Sequence, residues 1–285
     1  MNDIACTVAA LHVHPVKSCA GIATDEALVA ETGLDLDRQW MIVDAQGEKF
    51  TQRDVPRMAL IATKFQHGAL VLRAPGMLAL HLSLDTVEEA TRVRVWNDQV
   101  KAFSMGALAA QWVSDFLGQA ARIVRFDPDQ RRLSSAQWTG TDEAENGFAD
   151  GYPLLVANSA SLADLNARLA AKGVPAVSMQ RFRPNLVLDG LQAFDEDHID
   201  TITIAADGDA DGGDVVLRLV KPCIRCNVPN IDPASAIEGT EPGATLATYR
   251  ADARVDGGIT FGMNAIVMQG VGRTLRVGQI GRAHV

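Results

Sequence analysis

The first 125 residues alternate short apolar runs with turn-forming residues. Residues 9–16 form an apolar run broken by Pro15. Residues 40–44 and 49–52 flank Ala45-Gln46-Gly47, residues 58–65 and 69–73 flank His67-Gly68, and residues 93–96 and 100–103 flank Asn97-Asp98. Apolar runs joined by a few turn residues predict β-hairpins. Their repetition predicts an antiparallel barrel or sandwich. From Leu108 through Trp112, Val113 and Phe116 the spacing becomes helical, and Gly118 supplies a stop. Trp112 and Phe116 are then core residues. Residues 122–126 read as a further strand.

Residues 127–150 are polar and aperiodic, which predicts a long loop and a boundary between domains at 1–126 and 127–285. The second half mixes elements. Strands are expected at 153–157, 185–188, 201–205 and 215–220. A helix is expected after Ser161, whose spacing to Asp164 resembles a capping box, with Leu162, Leu165 and Leu169 on one face and Gly173 and Pro175 as its end. The fold class is therefore mainly β with α (α+β). Asp207, Asp209 and Asp211 open like a calcium loop, but the twelfth position is Arg218 instead of Glu, so the segment reads as a solvated hairpin turn.

At 285 residues, 47% hydrophobic and 21% charged, the composition is that of a globular protein with a buried core. The net charge of -9 disfavours a nucleic-acid partner, so an anionic ligand would need a local cluster of basic groups. No run reaches the roughly 18 apolar residues of a membrane span, and the N-terminus lacks a secretory pattern. A cytosolic, membrane-free protein is expected. Its four cysteines, Cys6, Cys19, Cys223 and Cys226, are then thiols.

Chemistry concentrates in Lys221-Pro222-Cys223-Ile224-Arg225-Cys226, which follows the strand at 215–220. A thiolate binds soft or high-valent metals, and Lys221 and Arg225 would stabilise it. One Cys-x-x-Cys leaves three readings open. Zinc needs two further ligands, and His12 and His14 lie far away in sequence. A thioredoxin-like dithiol needs a βαβ setting. Two core cysteines would sit uneasily beside Lys and Arg. Cys6 and Cys19 read as small buried hydrophobes.

The segment 221–233, KPCIRCNVPNIDP, resembles the signature of the MOSC family, named after the C-terminal domain of molybdenum-cofactor sulfurases. Three more segments resemble the family in order: His14 to Ser18 with residues 33–40, Asp150 with Tyr152-Pro153 and the helix after it, and Arg181-Phe182-Arg183-Pro184-Asn185. The resemblance implies an N-terminal antiparallel β-barrel followed by a MOSC β-barrel with flanking helices. It also implies a molybdenum-pyranopterin with Cys226 as the metal ligand. Lys17, Ser18, Arg38, Arg183, Asn185 and Arg225 would bind the cofactor, with planar Arg forks suited to its phosphate. Asp150 would be a second catalytic group. The implied activity is reduction of N-hydroxylated compounds such as amidoximes and hydroxylaminopurines. Electrons would come from a separate donor, a reductase or a ferredoxin-like protein. A stand-alone cofactor or sulfur carrier and a non-catalytic MOSC module are the alternatives. Pro229-Asn230 stands where relatives often carry a Thr-Thr pair, which alters the surroundings expected for the metal.

Overall fold

A computed structural model describes residues 3–85, 89–205 and 213–285. The Asp207–Gly212 segment lies outside the described residues. Seven strands close into a barrel. They are β1 (Ile4–Val13), β2 (Leu154–Asn158), β3 (Leu186–Asp189), β4 (Thr201–Ile204), β5 (Val215–Ile224), β6 (Gly258–Gln269) and β7 (Ile280–His284). Their order is β2-β3-β1-β7-β4-β5-β6, and β6 pairs back onto β2. Only β2 and β3 run parallel, and a parallel pair needs a crossover. The helix α2 (Ser159–Ala171) supplies it. Val8, Leu11, Val156, Leu186, Ile202, Leu217 and Ala265 fill the barrel interior, as the two-residue period of a strand requires.

The other strands lie mostly in the first half. Trp40–Val43, Arg122–Phe126, Asp98–Ser104 and Ala90–Val95 form an antiparallel sheet in that order. Ala62–Gln66, Ala69–Arg73 and Leu80–Ser83 form a meander. The helix α1 (Gly106–Leu117) ends on Gly118 at φ 71, the left-handed stop expected of it. Its Trp112 and Phe116 pack with Trp40, Ile42, Met58 and Leu70 in a second core.

Several expectations shift, each for a local reason. The strand expected from residue 58 begins at Ala62, because Pro56 opens a 3₁₀ turn over Pro56–Leu60. The hairpin turn expected at Asn97-Asp98 falls one residue earlier, and Asp98 pairs with Val95. Trp96 takes φ 56 there, the left-handed value that a two-residue hairpin turn demands. Ser161 does not cap α2. Asn158 does, accepting from the Ala160 N–H at 3.0 Å. Ser161 instead donates to buried Glu196 at 2.8 Å. The β5 strand runs through Cys223 to Ile224, so the Cys-x-x-Cys starts on the strand and not after it. The twelve-residue β6 was not assigned from sequence, although its apolar run, GITFGMNAIVMQ, signals it.

Barrel closure depends on Gly262. It takes φ 76, and a Cβ there would lie 2.7 Å from the Val156 carbonyl oxygen across the β2–β6 seam. Gly262→Ala combines a strained conformation with a backbone clash. Urea denaturation should show a loss of about 2 kcal/mol or more.

Candidate functional site

Where the open end of the barrel meets the first-half sheets lies a cavity of about 490 Å³. All eight residues expected to bind or react line it: Lys17, Ser18, Arg38, Asp150, Arg183, Asn185, Arg225 and Cys226. They come from five separated stretches of chain. Three of them, Ser18, Arg38 and Arg183, are held at positive φ (66, 49 and 57). Such backbone costs about 1 kcal/mol or more per residue and persists only where neighbours enforce it. Here the Arg38 N–H donates to the His14 carbonyl at 2.8 Å. Asp37 accepts from the His14 N–H at 2.7 Å and from Arg38 Nη1 at 2.5 Å.

The roles divide. Arg38 Nη1 also donates to Asn185 Oδ1 at 2.9 Å, and Nη2 to the Arg183 carbonyl at 3.0 Å. Asn185 Oδ1 takes the Leu155 N–H as well, and its Nδ2 donates to the His12 carbonyl. Both side chains face the cavity, yet much of their hydrogen bonding is internal. Arg183 is less committed. Nη1 reaches the Cys19 carbonyl, while Nη2 is buried with no partner. Arg225 donates to Cys223 Sγ at 3.0 Å and to the Phe182 carbonyl at 2.8 Å, and leaves its Nε buried and unpaired. The Tyr152 hydroxyl is a third buried orphan on this wall.

Lys17, nearly buried, donates to the Phe148 carbonyl at 2.8 Å and to Asp150 Oδ1 at 2.6 Å. Burial pulls the Lys17 pKa below its ordinary value, and the Asp150 charge opposes that pull. Desolvation pushes Asp150 up, but the Lys17 ammonium and the Trp96 indole N–H, 3.1 Å away, hold it well below the carboxylate range. Arg183 falls to about 10 through burial and the neighbouring Arg38 charge. His14 is held well below its ordinary value by burial, then by Arg38 and Arg183, so it stays neutral.

Sequence reasoning missed Trp96, Arg53 and Asn264, which also line the cavity. It also missed Arg132, which donates to the carbonyls of Gly147 and Ala149 and so shapes the Asp150 loop. Trp96 was hidden by the one-residue shift of its turn. Lone arginines and an asparagine on a strand carry no local signal. Cys6 and Cys19 are buried as expected. Cys226 is exposed, and no group of three His, Cys, Asp or Glu side chains able to hold a metal occurs among the described residues. That removes the ligand set a zinc site needs.

Six cationic side chains line this cavity against one carboxylate, with a single exposed thiol among them. The chain belongs to the MOSC family. The MOSC N-terminal beta barrel domain matches residues 5–120, and the MOSC domain matches residues 143–281. Its curated relatives include the mitochondrial amidoxime reducing component 2 of Bos taurus, 33% identical over 86% of this chain and 72% of that protein. The mitochondrial amidoxime-reducing component 1 of Mus musculus is 34% identical over 86% of this chain and 71% of its own. A protein of Bordetella bronchiseptica solved in solution matches 38% of this chain and 92% of its own, at 28% identity and a TM-score of 0.31. No helix among the described residues is long and apolar enough to cross a membrane.

The Lys17–Asp150 pair sets a pH dependence. The folded pKa of Asp150 lies below its ordinary 3.8, so the unfolded chain takes up the proton first as pH falls. The stabilisation is fully present above that value and is lost progressively below it. In urea unfolding, the stability gap between wild type and Asp150→Asn should narrow from about pH 5 to about pH 3. An unchanged gap would show that the pair does not couple.

Proposed function

We propose that this protein reduces N-hydroxylated compounds, amidoximes and hydroxylaminopurines among them, using a molybdenum-pyranopterin held in the cavity. The observation that carries the reading is the cavity itself: six cations, one carboxylate and one exposed thiol in a chain of net charge -9. A ligand with a phosphate and a soft metal centre answers both features. The names of the amidoxime reducing relatives support the substrate class.

In this reading Cys226 gives its thiolate to the metal. Lys17, Ser18, Arg183 and Arg225 donate to the cofactor, and the unpaired Arg183 Nη2 and Arg225 Nε are donors that a bound anion would satisfy. Arg38 and Asn185 hold the others in place. When bound, the cofactor supplies two-electron redox chemistry. The reaction breaks the N–O bond, consumes two electrons and two protons, and releases water. Asp150 stays ionised beside Lys17 and sits exposed at the cavity, where it can orient a proton donor on the substrate. Electrons come from a separate protein, a reductase or a ferredoxin-like partner. The four free thiols are in keeping with a reducing, cytosolic setting.

Protein made in a cofactor-competent host should hold near-stoichiometric molybdenum and pterin, and Cys226→Ser should lose the metal. With a chemical reductant the loaded wild type should convert benzamidoxime to benzamidine. Equally empty wild type and variant after anaerobic purification would sink the cofactor reading. Full metal without turnover would make the protein a carrier.

A further inference from the structure

Five of the six cavity cations have a protein oxygen or sulfur to donate to. Lys17 has Asp150, Arg38 has Asp37, Arg183 has Cys19, Arg225 has Phe182 and Cys223, and Arg53 has the Thr51 hydroxyl at 3.4 Å. Among the described residues, the Lys221 ammonium has none. It rests instead against two rings, 5.3 Å from the centre of Trp138 and 5.8 Å from that of Tyr152. Rings hold a cation through their faces without occupying its directed hydrogen-bonding capacity as a carboxylate would. Trp138 is itself anchored, since Arg218 donates to the adjacent Thr139 carbonyl and to Asp142. The hydroxyl of the same Tyr152 is buried without a partner. Burial raises its pKa to about 12, so it remains a protonated donor.

We propose that Lys221, with Tyr152 beside it, binds the N–O oxygen of the substrate and protonates it as it leaves. The proposal rests on the reductase reading. Substrate and product differ only in that oxygen, so contacts that drive the reaction forward must fall on it. The cavity's one carboxylate is already engaged by Lys17, which leaves Lys221 as an unclaimed donor on the wall shared with Cys226. In an amidoxime the oxygen already bears one hydrogen. As the N–O bond breaks with two electrons from the donor protein, the oxygen takes a second proton from Lys221 and departs as water. The nitrogen takes the other proton, and solvent reprotonates Lys221. A preformed ammonium beside the developing negative charge stabilises the transition state more than the bound substrate.

The test uses holoprotein carrying Lys221→Met, Lys221→Arg or Tyr152→Phe, with benzamidoxime as substrate and metal and pterin measured in each sample. The expected result for Lys221→Met is wild-type metal and pterin, little change in KM and a fall in kcat of roughly 100-fold. Lys221→Arg should recover part of that loss, and Tyr152→Phe should lower kcat by less. Unchanged kcat in loaded Lys221→Met overturns the proposal while leaving the reductase reading intact. Loss of pterin from Lys221→Met also overturns it, by assigning the ammonium to the cofactor. A loaded wild type that converts nothing overturns the reading, and the proposal falls with it.

Discussion

Asn185 is 1% exposed, and its side-chain amide ties together four stretches of chain. Oδ1 accepts from Arg38 at 2.9 Å and from the Leu155 N–H at 3.1 Å, and Nδ2 donates to the His12 carbonyl at 3.2 Å. Through Arg38 the same knot reaches Arg183, and through Asp37 it reaches His14. Asn185, Asp37 and His14 are buried, and a buried polar group without its partner costs about 1–3 kcal/mol. Losing one of these bonds would therefore leave buried partners short. With all of them made, the knot fixes Arg38 and Arg183 at positive φ and turns the cavity wall into a rigid surface. The less committed donor Arg183 Nη2 is positioned through it.

The charge distribution follows the same logic at longer range. A chain of net charge -9 presents a repulsive surface to anions, while its main cavity gathers six cations. Field lines concentrate in such a cleft, which favours an anion there. Asp37 makes the cluster tolerable. At 2% exposed it neutralises Arg38 from behind, out of the cavity's reach. Asp150 does the same for Lys17 from the open side.

The hairpins and α1 were legible because strand and helix periods differ, and Gly118 marks a helix end by its conformation. The Cys226 loop was legible because thiols and basic residues cluster there in sequence. Other features depend on partners far along the chain. Ser161 has the spacing of a cap, but buried Glu196 needs its hydroxyl more, and neighbouring Asn158 can cap equally well. Trp96 entered the site through a one-residue choice of turn, a difference that local propensity does not resolve. Lys221 was read as a charge near a thiol, and only the fold brings Trp138 and Tyr152 to it. Arg132 organises the Asp150 loop from outside the cavity, through contacts with backbone carbonyls that no motif records.

The first strand of the chain completes a barrel otherwise built from the second half. Thr7 pairs with Asp189 and with Ile280, so β1 finds neither neighbour until most of the chain exists. During synthesis at about 5–20 residues per second, β1 emerges well before β7 and waits for it over many seconds. In that interval Val8, Leu11 and Val13 have no barrel to enter, and the nearby Ile22–Thr24 strand, paired with Leu11, His12 and Val13, covers only part of one edge. Closure of the barrel thus waits for β7, the barrel strand farthest along the chain from β1. The contacts that close the barrel carry a high contact order, which predicts slow final assembly for a protein of this size.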